Sequence, residues 1–377
     1  MEFAFAEDEK TAPSPKIRSI TVEVKNIFSK SEETNLIYKT ANQLKLNTRE
    51  NVILTELLFK EGDYFDPFVI AESLRNLRNI RFLKSPKISY KTEGQFVDVF
   101  VSVQDTWTII PQFSFSSGDG RDRFSAGVSE SNLAGFGKRL EALYAEEDSR
   151  EIIETVWEDP RVLNTKNKLL AAYLARSDGE EFIFNAGRPF RSLIEDYAWS
   201  SDIVDRDFVG KLFDNSDESF IFRQKSLKLG AGFTFARGDA QVNRKRYTFG
   251  YSYDDTRFFE ADADDFEDLD LDPSEVSSDP AFLAKSRRYS GPTFTYQSIE
   301  PDFISMAYID RFSRVSDYNL GNTHSVSFQF APEVLGSRDD TLLFAAQISK
   351  GTLFSNSSFL RGELRASSRS SGEDLEN

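Results

Sequence analysis

The chain has 377 residues, which is enough for more than one domain, and it carries a formal net charge of −16. This acidity argues against a general nucleic-acid binder. The absence of cysteine and the single histidine, His324, exclude disulfides, thiolate chemistry and zinc sites built from two histidines. A mean hydropathy of −0.45 without a long apolar run excludes helical membrane spans but not membrane barrels, whose strands alternate.

The first residues, MEFAFAEDEK, combine a short aromatic and alanine stretch with an acidic segment. The small-x-small pattern that ends at Ala6 is similar to the tail of a secretory signal. We therefore predict that residues 1–16 form a flexible segment after a signal-peptide remnant. An ordinary frayed terminus explains the same residues equally well.

Residues 16–104 mix strand and helix patterns. Alternation at residues 20–24 predicts a half-buried strand. Asn47 and Glu50 form a capping-box signal for a first helix, and Asp66 before Pro67 predicts the start of a second. Two strands, predicted at 87–91 and 96–103, complete a β-α-α-β-β order that suits a small α+β domain.

From Trp107 onward the pattern changes to period two, in segments of about ten residues. Apolar residues, many of them aromatic, alternate with mostly small or polar ones, as in Leu227–Phe235 and Tyr247–Tyr253. Such segments are long enough to cross a bilayer obliquely as β-strands, and the small polar face suits a wet lumen. A propeller or sandwich is the soluble alternative, but the chain shows no repeat of about 40 residues.

The connections between these segments differ in length. We predict short turns at 237–240 and 299–302, and one long acidic loop at 259–285. Alternation of short and long connections is typical of up-and-down outer-membrane barrels.

Two stretches carry a resemblance to a known family. LLFKEGDYFDPFVIAESLRNLRNIRFL, residues 57–83, resembles the centre of a POTRA (polypeptide-transport-associated) domain. FSAGVSESNLAGFGKRLEALY, residues 124–144, resembles the early barrel of the BamA/TamA-like outer-membrane superfamily, with its Asn-Leu-x-Gly-x-Gly corner. The union of both motifs is more specific than either alone.

The resemblance implies a fold and domain boundaries. It implies an α+β POTRA domain at residues 17–105, followed by the N-terminal part of an antiparallel transmembrane β-barrel at 106–377. The superfamily's Arg-Gly-Phe/Tyr lid motif is missing, because Arg237–Gly238 and Arg361–Gly362 are followed by Asp and Glu. We therefore expect the barrel to be incomplete, and an open sheet cannot persist in lipid.

Two acidic clusters allow alternative interpretations. Glu61, Asp63 and Asp66 lack the spacing of an EF-hand, so a capped turn between helices is favoured over a calcium loop. The run from Asp262 to Asp272 could hold Ca²⁺ or Mg²⁺ beside lipopolysaccharide, but a solvated, mobile loop is favoured.

No motif in the sequence supports catalysis. His324 begins a strand-like run, and Gly127–Ser131 lacks the last glycine of a nucleophile elbow. There is no phosphate-binding glycine loop. We predict that the protein is not an enzyme and has no metal site and no cofactor.

The resemblance also implies two binding segments. In a POTRA sheet the second strand lies at an edge, where main-chain hydrogen bonds can add a client strand. The residues of this predicted client-binding edge are Lys87, Ile88, Ser89 and Tyr90. The first barrel strand would be the gate, and the residues of this predicted gate strand are Trp107, Ile109, Pro111, Phe113 and Phe115. Ordinary structural edges are the alternative for both.

The function that the resemblance implies is assembly or translocation of polypeptides at the bacterial outer membrane, with the POTRA domain in the periplasm. The expected partners are unfolded polypeptide clients, outer-membrane lipids or lipopolysaccharide, and accessory periplasmic proteins or lipoproteins, but no nucleic acid. Two alternatives within the membrane remain, a two-partner-secretion exporter and a passive porin or anchor with a POTRA-like plug. A soluble β-rich enzyme is disfavoured by the missing chemistry.

Overall fold

A small α+β region precedes a much larger antiparallel sheet. The computed structural model describes residues 14–27, 46–118, 121–147, 150–214, 217–307, 309, 314–355, 358–371 and 374–376. The predicted signal-peptide remnant, residues 1–6, lies outside these described residues.

The small region contains one three-stranded sheet and two described helices. Its strands are β1 (Lys16–Lys25), β2 (Leu83–Glu93) and β3 (Phe96–Asp105), in the spatial order β1-β3-β2. β1 runs parallel to β3, and β2 runs antiparallel to it. The helices are α1 (Glu50–Glu56) and α2 (Pro67–Asn79).

The core of this region lies between the helices and one face of the sheet. The central strand β3 supplies four valines that are fully buried, Val97, Val99, Val101 and Val103. Period-two alternation places them on the same face, and each buried side chain contributes about 1.5–3 kcal/mol. Ile53 of α1 and Leu77 of α2 pack against them.

The predicted N-terminal cap is present at the start of α2 but not at the start of α1. The Asp66 side chain accepts a hydrogen bond from Phe68 N (2.8 Å), and Pro67 occupies the first helical position. The predicted Asn47 capping box is wrong, because α1 begins at Glu50 with Arg49 in the cap position. The Asn47 side chain donates instead to Asn26 Oδ1 (2.8 Å).

The large sheet has fourteen described strands in one antiparallel ladder, and two further described strands form a separate hairpin. The strands are β4 (Ile109–Gly118), β5 (Arg121–Glu130), β6 (Arg139–Glu147), β7 (Arg150–Asp159), β8 (Lys168–Arg176), β9 (Gly179–Arg188), β10 (Tyr197–Asp214), β11 (Asp217–Arg237), β12 (Arg244–Glu260), β13 (Arg287–Ile299), β14 (Phe303–Ala307), β15 (Val315–Asn319), β16 (Thr323–Ala331), β17 (Thr341–Ser355), β18 (Ser358–Ser371) and β19 (Asp374–Glu376). The ladder runs from β4 to β13 in chain order and then through β16 to β19, and the hairpin consists of β14 and β15.

The two faces of the large sheet differ as the alternation predicts. Aromatic rings pair across strands on one face, such as Phe249 with Phe294 at 5.1 Å between centroids. Hydroxyl groups pair on the other face, such as Thr295 with Ser327 at 2.9 Å. A cavity of about 750 Å³ lies on the polar face and is lined by residues of β12, β13, β16, β17 and β18, so the sheet curves towards that face.

The connections on one side of the large sheet, here called the rim turns, face the small region. They are residues 131–138, 160–167, 189–196, 238–243 and 300–322. The predicted short turn at 299–302 is wrong, because the connection from β13 to β16 contains the β14–β15 hairpin.

The acidic connection between β12 and β13 is folded. It contains the short helix α3 (Ala263–Asp268), and Phe266 and Leu269 pack on Val209 and Ile221. The predicted mobile, solvated loop is therefore wrong here, because apolar residues between the acids bury a core of their own. The predicted solvation fails for Asp265 in particular, which is buried beside Arg223.

Within the described ranges, no helix is long and apolar enough to cross a membrane. The predicted fold class, a small α+β region followed by a large antiparallel sheet, is confirmed.

Candidate functional site

The second strand of the small sheet lies at an edge. β2 pairs with β3 alone among the described strands. Apart from their pairing with β3, residues 86–92 make no backbone hydrogen bond to any described part of the chain. Lys87 and Ser89 are exposed, and Ile88 packs against the core. The Tyr90 ring lies 4.6 Å from that of Phe65. This edge holds all four predicted client-binding residues, whose binding role stays a prediction.

The opposite edge of the same sheet is covered by the acidic turn between the helices. Gly62 N donates to Ile17 O (2.8 Å), and Ile17 N donates to Asp63 O (2.9 Å). Farther along β1, the Glu61 carboxylate accepts a hydrogen bond from Ile20 N (3.0 Å). These groups occupy the outer hydrogen-bonding positions of the first half of β1, so this part of the edge is closed to a further strand. The turn therefore has a structural role that its sequence did not reveal.

A charged network on the outer face ties the three strands together. The Arg18 guanidinium binds Asp98 and, at 3.0 Å, the Glu93 carboxylate, while Ser19 Oγ donates to Asp98 Oδ1 (2.7 Å). The hydrogen bond from Arg18, followed by that from Ser19, lowers the pKa of Asp98 to about 2. The hydrogen bonds from Lys91 and Arg18 lower the pKa of Glu93. The network connects β1 and β2 through β3 and stabilises their register.

A buried carboxylate of α1 connects the small region to the rim turns. Glu56 Oε1 lies 2.7 Å from Arg161 Nη1 and 2.5 Å from Arg191 Nη1. Arg161 also donates to Gly137 O (2.9 Å). All three charged side chains are nearly excluded from solvent. Loss of one partner from such a buried pair leaves an uncompensated charge, so this contact fixes the position of α1.

A second carboxylate, on α2, binds the rim turn 189–196, which also supplies Arg191. Glu72 Oε2 accepts hydrogen bonds from Ser192 Oγ (2.6 Å) and Leu193 N (3.2 Å). Its other oxygen contacts Arg75 in the same helix. Burial lowers the pKa of Arg75, whose guanidinium also lies 3.7 Å from the centre of the Phe303 ring. Glu72 therefore satisfies groups on both sides of the interface.

The Asn-Leu-x-Gly-x-Gly corner forms a third contact. Arg49 N donates to Gly135 O (2.9 Å), and its guanidinium stacks 3.7 Å from the centre of the Phe136 ring. Asn132 Nδ2 donates to Thr48 Oγ1 (2.8 Å), while Asn132 Oδ1 accepts from Gly137 N (2.7 Å). The corner that carried the resemblance thus follows β5 and holds the segment before α1.

The β14–β15 hairpin binds the C-terminal end of α2. Arg78 Nη1 lies 2.8 Å from Asp317 Oδ1. Arg314 donates to the carbonyl oxygens of Arg78, Ile80, Arg81 and Leu83, at 2.5–3.3 Å. A cation at this position compensates the unpaired carbonyls and the negative end of the helix dipole. Between α2 and the rim turns remains a cavity of about 480 Å³, lined in part by Arg81, Arg139 and Lys168.

The predicted gate strand forms the other end of the large ladder. Ile109, Pro111, Phe113 and Phe115 lie in β4, which pairs with β5 alone among the described strands. Phe113 and Phe115 are 76% and 73% exposed, and Trp107 precedes the strand. Proline is tolerated on an edge strand, where no partner needs its missing N–H. The gating role stays a prediction.

The sequence did not indicate the rim contacts. Glu56, Glu72, Arg161 and Arg314 lie in different elements, and no spacing links them. At Glu56, an acidic residue within a short amphipathic helix was a weak signal of a buried ion pair. In the described part of the chain, no group of three or more His, Cys, Asp or Glu residues is placed to hold a metal ion.

Comparison with known proteins gives one relative by sequence. A segment of 69 residues is 39% identical to a Treponema pallidum (strain Nichols) protein named "Putative outer membrane protein assembly factor". Over this segment, the predicted resemblance to outer-membrane assembly proteins is confirmed by the relative's name. The match covers 18% of this chain and 8% of the relative's length. No family model matches the chain.

Two solved structures show a similarity to this chain along most of its length. BamA from Haemophilus ducreyi, lacking POTRA domains 1–3, has 13% identity and a TM-score of 0.37, over 95% of this chain and 56% of that one. CdiB from Acinetobacter baumannii has 11% identity and a TM-score of 0.47, over 96% and 54%. Both TM-scores lie below 0.5, so no functional conclusion follows from these two structures.

Proposed function

We propose that this chain belongs to an outer-membrane protein that assembles or translocates polypeptides, and that its α+β region captures extended clients by strand addition at β2. The observation that carries this proposal is the asymmetry of the small sheet. The turn at 61–63 covers the first half of β1, whereas β2 has an uncovered outer side among the described residues. An uncovered edge offers main-chain hydrogen bonds that are independent of the client's side chains.

The proposed location is the bacterial outer membrane, with the α+β region on the periplasmic side. The relative's name refers to the outer membrane. The aromatic face and the small polar face of the large sheet suit lipid on one side and water on the other. In the described part of the chain, the hydrogen bonds and ion pairs from the α+β region to the large sheet go to the rim turns, for example at residues 135, 161, 192 and 317. This supports a position of the β2 edge beside one end of the strands.

The proposed mechanism requires binding and no covalent chemistry. A client strand would pair with β2, and the predicted gate strand β4 would offer a second edge for pairing in the membrane. We therefore propose that the protein is not an enzyme and that unfolded polypeptides are its clients.

A cross-linking experiment tests the edge directly, because the chain has no cysteine of its own. Ser89 of β2 and Lys16 of β1 are both exposed, and Lys16 lies in the half of β1 that the turn covers. S89C and K16C variants would be mixed with an extended peptide that carries a thiol-reactive group. We expect cross-links at position 89 and few at 16. Equal yields at both positions, or none at 89, would contradict strand addition at β2.

A passive plug is the second candidate function, favoured by the buried contacts of Glu56 and Glu72 with the rim turns. Depletion of the protein in cells separates the two candidates. We expect other outer-membrane proteins to fall in abundance when an assembly factor is removed. Unchanged abundance of all of them would favour the plug.

A further inference from the structure

A cavity of about 760 Å³ lies at the end of the large sheet that is remote from the α+β region. It is bounded by the start of β13, the connection 332–340 and the last residues of β18. The α+β region contacts the opposite ends of the strands, which for β13 means a separation of about 40 Å at roughly 3.3 Å per residue. The two sites are therefore separate.

The lining of this cavity, here called the basic cavity, concentrates positive charge in a chain of net charge −16. Five basic side chains line it, against the single carboxylate of Asp339. The five are Lys285, Arg287, Arg288, Arg338 and Arg369. Like charges this close repel each other, so an anion bound between them would stabilise the cluster.

The ion pairs around the basic cavity leave part of this charge uncompensated. Arg288 Nη2 lies 3.2 Å from Asp255 Oδ2, which accounts for one cation. Arg338 donates to the main-chain oxygen of Ser286, a neutral group. Lys285 and Arg287 are exposed and form no ion pair with a carboxylate in the described part of the chain.

The walls of the basic cavity are fixed by hydrogen bonds. Ser337 Oγ accepts from Ser290 N (2.9 Å) and donates to Ser290 O (3.2 Å), and both residues are buried. Arg338 N donates to Arg288 O (3.1 Å). These bonds hold the 332–340 connection against β13. The guanidinium of Arg338 is therefore presented from a preorganised support, which reduces the entropic cost of binding.

The chemistry of the lining favours one class of ligand. Guanidinium groups bind phosphate oxygens through paired, charge-assisted hydrogen bonds, and lysine adds a point charge. Arg369 Nη1 donates to the Tyr289 hydroxyl (2.7 Å), so the phenol is held beside the cations. The volume lies within the range of small-ligand sites.

We propose that the basic cavity binds a phosphate-bearing ligand through Lys285, Arg287 and Arg338. The shared chemistry is the phosphate group, carried either by a phosphorylated lipid headgroup or by a free polyphosphate. This inference goes beyond the proposed function, since strand addition at β2 does not require it.

The experiment compares two phosphate probes on the full chain in zwitterionic detergent. Inorganic pyrophosphate represents a free ligand, and lipid A added to the micelles represents a lipid headgroup. Calorimetry measures both affinities for the wild type, for K285Q/R287Q and for a control with the same change in charge, K245Q/K350Q. Lys245 and Lys350 are exposed and do not line the basic cavity.

We expect K285Q/R287Q to weaken binding of at least one probe by roughly tenfold or more, and the control to change it by less than about twofold. Tighter binding of lipid A assigns the headgroup as ligand, and tighter binding of pyrophosphate assigns the free anion. The proposal is overturned if neither probe binds, or if K285Q/R287Q and the control bind equally. If the double variant folds poorly, the single variants R287K and R287Q provide the test. R287K keeps the positive charge, so it should bind the phosphate probe more tightly than R287Q.

Discussion

Glu56 and Arg161 form a buried ion pair of 2.7 Å that joins helix α1 to the rim turn after β7. The two residues are 105 positions apart in the chain. Arg191 reaches the same carboxylate from the next rim turn, so two cations share one acid. This contact is one of four that hold the small region, and with it the β2 edge, against the large sheet.

Removal of the Glu56 carboxylate should release the small region. We expect E56Q to weaken docking by about 3–5 kcal/mol, because Arg161 and Arg191 would stay buried without a counter-charge. Spin labels at positions 87 and 165 would report the change as a broader and longer distance distribution. E50Q changes an exposed acid of the same helix and should leave the distribution unaltered. An unchanged distance in E56Q would show that the ion pair does not hold the region.

Substitution at Gly135 should disrupt the corner. Gly135 and Gly336 both have positive φ, +76° and +95°. A Cβ at Gly135 would clash with Asn47 O, whereas nothing lies within 4 Å of one at Gly336. Both alanine variants pay about 1 kcal/mol of backbone strain, but G135A also loses the contact with Arg49. We expect the thermal midpoint of G135A to fall below that of G336A, and equal midpoints would contradict the clash.

The charged network on the small sheet should respond to acid. The pKa of Asp98 is about 2, below its ordinary value of 3.8, because Arg18 and Ser19 bind the carboxylate. The stabilisation is therefore present above about pH 4 and is lost as the pH falls towards 2. The pKa of Asp98 can be measured by NMR from the midpoint pH at which its carboxyl carbon titrates. We expect this midpoint to rise in R18Q and to stay unchanged in R49Q. A wild-type midpoint at the ordinary value of an aspartate would refute the network.

The folded acidic connection should depend on one aspartate in particular. Asp265 is buried, forms a capping box with Asp262 and lies 2.7 Å from Arg223 Nη1. D265A removes the cap and the ion pair, at a cost of about 1 kcal/mol or more. Hydrogen exchange of residues 263–276 should accelerate in D265A and not in D264A, since Asp264 is exposed. Equal exchange in both variants would mean that the cap does not hold the connection.

Several local features could be predicted because neighbours in the chain determine them. Asp66 and Pro67 mark the start of α2 since the cap bond spans two residues. The alternation of valines in β3 fixes which face is buried, since successive side chains point to opposite sides. The Gly-Asp turn and the Asn-Leu-x-Gly-x-Gly corner carried the resemblance to outer-membrane assembly factors.

Other features depended on parts of the chain that are remote in sequence. The acidic run at 262–272 looked solvated because its charges are dense, but Phe266 and Leu269 find a core on β10 and β11. The connection after Ile299 looked short because IEPD is turn-like, yet Arg314 and Asp317 lie in it and bind α2. Local composition does not specify either outcome.

The sequence by itself determined the order of the elements in the small region, the two faces of the strands and the resemblance, because these follow from hydrogen bonds and periodicities between neighbouring residues. Only the tertiary structure decided that the turn at 61–63 covers the first half of β1, and that Glu56 meets Arg161 and Arg191. These contacts join residues that no spacing relates, and burial gives them their strength.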